Sequence, residues 1–462
     1  MSSEPSAKDH GERALRAELG LLPAIALVIN ATIGTGIFRT PASVASHAGS
    51  LGAALAVWVV GALVALAGAL SVAELSSALP RAGGIYEPLR RAFGDRVAFV
   101  YGFAKITLLA PSAVGSFATL AAESIEALAG LAPDRPREIA IALGVLALAT
   151  GTNLLRVRSS GSVQAIVTAV KYGGLALLAL AGLALPFTSI TLDAPVPAPP
   201  SAAGILAALV SVMWAYDGWA DLASVAAETR DAPRTLPRAL VIGTLLVGVA
   251  YLAANLGYAR VLGWEGLATA DAGAEMPGAR LARATLGGAG ARALSALVVV
   301  SCVGGAMASL LTNSRALVPM ATDGTFVRAL GRVDPGSGTP RLAVAITGCL
   351  GALYVASERF EELTDGFVVG YFPFYALAVI ALFVLRRREP DLARPFRTPL
   401  AMPLAFLAFA VLVLGGAILD TARETRALLT TEGAPLPRMT VPFALLCVGA
   451  LLSLVRRPRP PA

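Results

Sequence analysis

The sequence predicts an all-α integral membrane protein of about twelve transmembrane helices, built as a 5+5 inverted repeat in which helices 1 and 6 are broken. Three observations predict it: the composition, the number of long apolar segments, and two interruptions five segments apart. The chain has 462 residues, of which 56% are hydrophobic and only 15% charged, with a mean hydropathy of +0.71. Soluble domains carry about a quarter charged residues. A chain of this length holds about a dozen spans of roughly 20 residues with short loops, which leaves no room for a large soluble appendage.

The twelve apolar segments lie near 21–46, 51–79, 97–126, 138–156, 162–186, 202–227, 238–260, 288–313, 341–357, 362–385, 402–420 and 439–455. They divide the chain into a tail (1–19), helices 1–5 (20–186), helices 6–10 (201–386), helices 11 and 12 with their connecting loop (387–455), and a second tail (456–462). Residues 1–19 are polar and charged, so a cytoplasmic tail is expected there rather than a cleavable signal peptide. With the N-terminus inside, 24 of the 37 basic residues fall on the inner side and 11 on the outer. That excess places both termini in the cytoplasm.

The first span reads Val28-Ile29-Asn30-Ala31-Thr32-Ile33-Gly34-Thr35-Gly36-Ile37-Phe38. Two glycines around a threonine at its centre predict a broken helix. In hydrocarbon, the amide and carbonyl groups freed by a break need protein, water or a ligand to satisfy them. The N-terminus of the second half-helix also carries partial positive charge, which suits an anion such as a carboxylate. The alternative is a close-packing site for a neighbouring helix. The sixth span repeats the pattern at Trp214-Ala215-Tyr216-Asp217-Gly218-Trp219. Interrupted helices in corresponding positions of two halves are the sequence pointer to a transporter binding site near the bilayer midplane.

Few side chains are available for other chemistry. His10 and His47 are the only histidines and both lie outside the spans. Cys302, Cys349 and Cys447 have no metal-ligand spacing, so neither a metal nor a disulfide framework is expected. An enzyme site would need clustered acids, histidines or a nucleophile with its base, and no such cluster is visible. The net charge of +7 comes from short arginine clusters between spans and is not a nucleic-acid signal. Three lysines stand against 34 arginines, a bias expected of a GC-rich bacterial genome, so a lysine inside a span is informative. Lys171 lies 13 residues past Arg158, about 20 Å along a helix. That is too deep for easy snorkelling, the bland alternative, and an ionisable group there is a functional candidate. Lys105 is nearer its span's end, with snorkelling or pairing with Glu74 as its expected role.

Six stretches carry a family resemblance: 33–38 (Ile-Gly-Thr-Gly-Ile-Phe), 80–86 (Pro-Arg-Ala-Gly-Gly-Ile-Tyr), 214–219, 228–237, 312–315 (Thr-Asn-Ser-Arg) and 386–399. In this order and at these spans, the chain resembles the amino acid–polyamine–organocation transporter superfamily, and within it the L-amino acid transporter group. The resemblance covers nearly all of residues 15–400. It implies a LeuT-like fold and alternating-access transport of amino acids, mostly without sodium; with the arginine bias, the bacterial inner membrane is the expected location. It implies that amides around Thr35 and Gly36 hold the substrate carboxylate, with Ile33 and Gly34 in the same substrate-binding break. The carbonyls of Thr32, Trp214, Ala215 and Asp217 would take the ammonium, with Tyr216 in the same break. Trp214 matches an aromatic gate, against the alternative of core filling. Asp217 is expected to cap the second half of the broken helix; substrate contact or proton uptake stay open. Lys171, near Ser301 and Gly304, stands where sodium-coupled relatives bind their ion. Spans 3, 8 and 10 are expected to supply the side-chain pocket through Ser112, Ala113, Gly115, Cys302, Gly305, Tyr371 and Tyr375. No acid occurs among these, which favours neutral substrates. Animal members bond a heavy chain through an external-loop cysteine; residues 127–137 contain none, so no disulfide-linked partner is expected. No cofactor is implied.

The reading is therefore a secondary transporter exchanging or facilitating neutral L-amino acids. A proton-coupled amino acid or polyamine permease is the alternative. A transporter-like sensor is a further one, and both tails are short for signalling.

Overall fold

The computed structural model describes residues 19–34, 36–79, 83–154, 172–174, 176, 180, 182, 201–269, 276–334, 338–430 and 439–455. The first span is two helices, Leu21–Thr32 and Gly36–Ala48, bent by 49° where they meet. The second is Leu51–Ala78, started by Ser50, whose hydroxyl accepts the Ala53 amide at 3.2 Å. The third runs Asp95–Ala129 and includes a π-helical turn at Lys105–Leu109. The fourth is Arg135–Leu154. The sixth is helical over Ala202–Tyr216 and continues as a 3₁₀ segment, Trp219–Glu228. The last four are Arg341–Ser357, Phe360–Arg388, Ala401–Thr430 and Thr440–Val455.

Spans 7 and 8 are longer than their apolar cores. Helix Ala232–Ala268 kinks at Gly263, and helix Pro277–Thr322 at Gly287, one residue before the expected start of span 8. The piece 277–286 is thus a separate short helix between spans 7 and 8. Its counterpart between spans 2 and 3 is Tyr86–Phe93. Two short helices in equivalent places of the two halves are what an inverted repeat requires.

Packing follows the same symmetry. Span 1 packs on span 6, span 2 on span 7, span 3 on span 8 and span 4 on span 9. Close approach uses small residues: Gly305 of span 8 abuts the Phe117 ring of span 3, and Gly348 of span 9 abuts Thr150 of span 4. The core holds a buried aromatic trio, Trp58, Tyr216 and Tyr251, with centroids 5.1–5.8 Å apart. Outward faces carry exposed apolar side chains such as Leu63, Leu245, Val249, Val411 and Leu451, as a surface in lipid does. Eight helices are long and apolar enough to cross a membrane, or nine with the bent pair counted as one span, among the described residues. Fifth-span residues Gly174 and Gly182 lie against Leu297 of span 8 and Gly257 of span 7.

Candidate functional site

The two helix breaks cross each other at the centre of the bundle. Gly218, at φ 112°, lies so close to the first break that a Cβ there would collide with the Ala31 carbonyl and come within 2.9 Å of the Thr32 amide. A left-handed φ and this approach together require glycine. Reciprocally, a Cβ on Gly36 would meet Ala215 Cα at 3.2 Å and Trp214 Cδ1 at 3.4 Å. The first half of span 1 ends in a tight turn at Ile33 (φ −73°, ψ 81°), with the Gly34 amide donating to the Thr32 carbonyl at 2.7 Å, the geometry of an inverse γ-turn. The second half-helix starts at Gly36 with its first residues buried. Its first-turn amides have no acceptor one turn earlier in the helix.

One tyrosine holds both breaks. The Tyr251 hydroxyl of span 7 lies 3.1 Å from the Thr32 carbonyl oxygen and 3.0 Å from that of Ala215. One O–H can donate fully to only one of them at a time, so an acceptor site stays open for another donor. Seven residues on, Tyr258 donates to the Ile37 carbonyl at 3.2 Å. Asp217 ends the first half of span 6 in extended geometry (φ −66°, ψ 156°). Its carboxylate accepts from the Tyr375 hydroxyl at 2.8 Å and from the Gly218 amide.

Trp214 stands on the Arg39 side of this crossing. Its ring meets Phe367 at 5.1 Å, and Phe117 and Phe360 at 6.4 Å each. Above it opens a cavity of about 350 Å³, whose lining includes Arg39, Ser43, His47, Ser211, Glu361 and Asp365. Arg39 spans this vestibule. Its guanidinium bonds Glu123 of span 3 at 2.8 Å and Glu361 of span 10 at 3.0 Å, and its charge lies 5.1 Å from the Phe360 ring centroid. At the rim, in the turn between spans 9 and 10, burial pushes the Glu358 carboxyl up to about 6, with Glu362 adding to the shift.

Lys105 departs from expectation. It neither snorkels nor pairs with Glu74. It is buried, with its ammonium 3.2 Å from the Tyr371 hydroxyl and 5.0 Å from that ring's centroid. The π-helical turn that begins at Lys105 shifts the helix face locally and turns the side chain inward. Glu74 is taken instead by Arg386, in a two-pronged pair at 2.8 and 2.5 Å, and by the Thr398 amide at 2.7 Å.

A family profile described as amino acid permease matches residues 19–426. The chain belongs to the amino acid permease family. It is 28% identical over 416 residues to the serine/threonine exchanger SteT of Bacillus subtilis (strain 168), covering 88% of this chain and 92% of that protein. It is 28% identical over 413 residues to the b(0,+)-type amino acid transporter 1 of Rattus norvegicus, covering 88% and 84%. To the large neutral amino acids transporter small subunit 2 of Oryctolagus cuniculus it is 31% identical over 417 residues, covering 86% and 75%. The resemblance read from the six motifs is borne out. The permease is a multi-pass membrane transporter of amino acids and not an enzyme.

The permease brings together some of the residues singled out from sequence and separates others. Gly36 meets Trp214 and Ala215 at the crossing, Thr32 meets Gly218, and Tyr251 reaches the carbonyls of both Thr32 and Ala215; Ile33 and Gly34 lie in the first break, Tyr216 and Asp217 in the second. Thr35 and Lys171 lie outside the described residues. Ser301 is buried with a hydroxyl that has no partner among the described residues, as is the Thr32 hydroxyl. Gly304 beside it is half-buried. Tyr371 and Tyr375 pack with tilted rings, centroids 4.3 Å apart, and Tyr375 bonds Asp217. Ser112, Ala113 and Cys302 are buried. A Cβ on Gly115 would meet Leu363 and Val355, and one on Gly305 the Phe117 ring. Sequence reasoning missed Tyr251, Asn255 and Tyr258. Their i, i+4, i+7 spacing marks one polar face on an apolar helix, and that was the available signal.

Proposed function

We propose that this permease carries neutral L-amino acids across the bacterial inner membrane by alternating access, as a sodium-independent exchanger or facilitator with both termini cytoplasmic. The observation that supports it is the crossing of the two breaks, where a half-helix N-terminus and several carbonyls converge on one spot. A zwitterion presents an anion and a cation a few ångströms apart. Its carboxylate fits the first-turn amides around Thr35 and Gly36, where the helix dipole favours negative charge. Its ammonium fits the carbonyls of Thr32, Trp214, Ala215 and Asp217. Both ends are bound by backbone, so the reading needs no charged side chain in direct contact. Residues 20–186 and 201–386 act as the two repeats that rock against each other around this site.

Trp214 is the lid in this reading. Its aromatic cluster separates the breaks from the vestibule, and the Arg39 bridge joins spans 1, 3 and 10 above it. Lys171 supplies the positive charge that a sodium ion supplies in coupled transporters, near Ser301 and Gly304. The amino acid is the small-molecule partner, the bilayer the other, and no disulfide-linked heavy chain is needed.

The test is exchange in proteoliposomes with a panel of labelled amino acids, with and without internal substrate, sodium and a pH gradient. Neutral L-amino acids should exchange, unaffected by replacing sodium with choline or collapsing the gradient. Amidated or N-acetylated derivatives should compete poorly. Competition by such derivatives equal to that of the free amino acid would show that the backbone site is misplaced.

A further inference from the structure

Lys105 is a buried cation whose nearest partners among the described residues carry no charge. Its ammonium touches a tyrosine hydroxyl and faces a tyrosine ring. A buried charge needs an opposite charge within reach. Glu74, the acid expected from sequence, is committed to Arg386. Among the described residues, the carboxylates within Coulombic reach of Lys105 are Asp217 and Asp221 of span 6. The path to Asp217 is explicit. Lys105 meets the Tyr371 hydroxyl at 3.2 Å, the Tyr371 and Tyr375 rings pack tilted with centroids 4.3 Å apart, and the Tyr375 hydroxyl donates to Asp217 at 2.8 Å. The π-helical turn starts at Lys105, and such turns tend to occur where a side chain has a functional placement.

We propose that Lys105 is a specificity-determining residue: its buried ammonium is the counter-charge of Asp217 and makes the transport site reject amino acids with cationic side chains. The inference rests on the reading of the crossing as the amino acid site. Asp217 sits in that crossing and is half-buried. A lone carboxylate there would attract a second positive charge on the substrate. Lys105 already provides one, against Tyr371, whose ring packs on the Tyr375 that bonds Asp217. A cationic side chain would then add like charge to a region of low dielectric, where repulsion is felt most. Specificity here comes from an element that disfavours the wrong substrate.

The experiment uses the full chain in proteoliposomes loaded with L-alanine, L-threonine or L-leucine, measuring exchange of the same labelled amino acid. The readout is the ratio of the half-inhibitory concentration of L-arginine to that of the unlabelled neutral amino acid. In Lys105→Met this ratio should fall roughly tenfold or more, the effect of one medium-range charge interaction. Lys105→Arg should keep the wild-type ratio. Asp217→Asn, which leaves Lys105 with Asp221 alone as counter-charge, should move selectivity the other way and make L-glutamate a better competitor. Ligand-induced shifts in Tm for L-arginine, L-glutamate and L-alanine give the same ratios without transport. They therefore cover variants that bind but do not turn over. A wild-type protein that exchanges none of the three neutral amino acids overturns the proposed function. Ratios unchanged in both Lys105→Met and Asp217→Asn overturn the role of Lys105, as does a Lys105→Arg variant that changes as much as Lys105→Met.

Discussion

Removing the Tyr251 hydroxyl tests whether the two breaks are held in a binding-ready geometry. Tyr251→Phe deletes one oxygen and leaves the ring against Trp58 and Tyr216, at 5.5 and 5.1 Å. The loss falls unequally on its two acceptors. The Thr32 carbonyl keeps the Gly34 amide at 2.7 Å. The Ala215 carbonyl lies in the last turn of its half-helix, which ends at Tyr216, where carbonyls lack the usual partner one turn on. Leaving a buried carbonyl unsatisfied costs about 1–3 kcal/mol, and hydrogen bonds between membrane helices are worth about 0.6 kcal/mol on average, up to about 1.7. Taken together, about 1–2 kcal/mol is expected. If that energy serves to orient the break for substrate, it appears as affinity, a factor of roughly 5–30. The assay is substrate binding to purified protein with Tm measured on the same samples. The expected result is that factor in Kd with a well-folded protein. Tyr258→Phe, whose hydroxyl meets Ile37 further along the half-helix, is the control and should lose less. Unchanged or tighter binding in Tyr251→Phe would refute the reasoning and mean that the hydroxyl competes with the substrate ammonium.

Three further outcomes are expected. Lys171→Ala should sharply reduce exchange in a monodisperse protein, and wild-type uptake should not respond to sodium; a strict sodium requirement would remove the surrogate role of Lys171. Trp214→Ala should lower the transport rate more than equilibrium binding, because occlusion needs the lid while binding needs only the backbone of the breaks; wild-type turnover by a folded mutant would make Trp214 ordinary packing. Arg91 holds the Glu389 carboxyl below its ordinary value of 4.5 by a hydrogen bond. The native state therefore binds this proton less readily than the unfolded chain does, so the contribution is fully present above about pH 4.5 and is lost as pH falls through the lowered value. The pair is part-exposed, so about 0.5 kcal/mol is the scale. A Tm profile in acid should be slightly flatter for Glu389→Gln, and a steeper one would contradict the pairing.

The spans were legible because hydropathy is a local property. Helix Arg341–Ser357 has the bounds read from sequence, and the kink at Gly287 precedes residue 288, where span 8 was expected to start. The breaks were legible for the same reason, since glycine and aspartate within an apolar run cannot continue a helix in lipid at low cost. What sequence could not assign was the partner of each polar group. Lys105 was expected near Glu74 or at the interface, yet a single π-helical turn directs it to Tyr371, 266 residues away. Nor could sequence assign the neighbours of Gly115 and Gly305, which are Leu363 and Val355 for the first and Phe117 for the second, because which way a helix face points is set by its neighbours.

By itself the sequence determined the membrane class, the order of spans and the places where two helices had to break. Each follows from the composition of a stretch of 20 or so residues against the thickness of a bilayer. Only the tertiary structure decided that the two breaks cross within van der Waals contact, that Tyr251 ties them together, and that Arg39 reaches Glu361, 322 residues further on. Those contacts depend on the rotation and depth of helices packed as counterparts from two halves of the chain. Hydrophobic periodicity leaves that rotation free until the helices pack and their buried polar groups find partners.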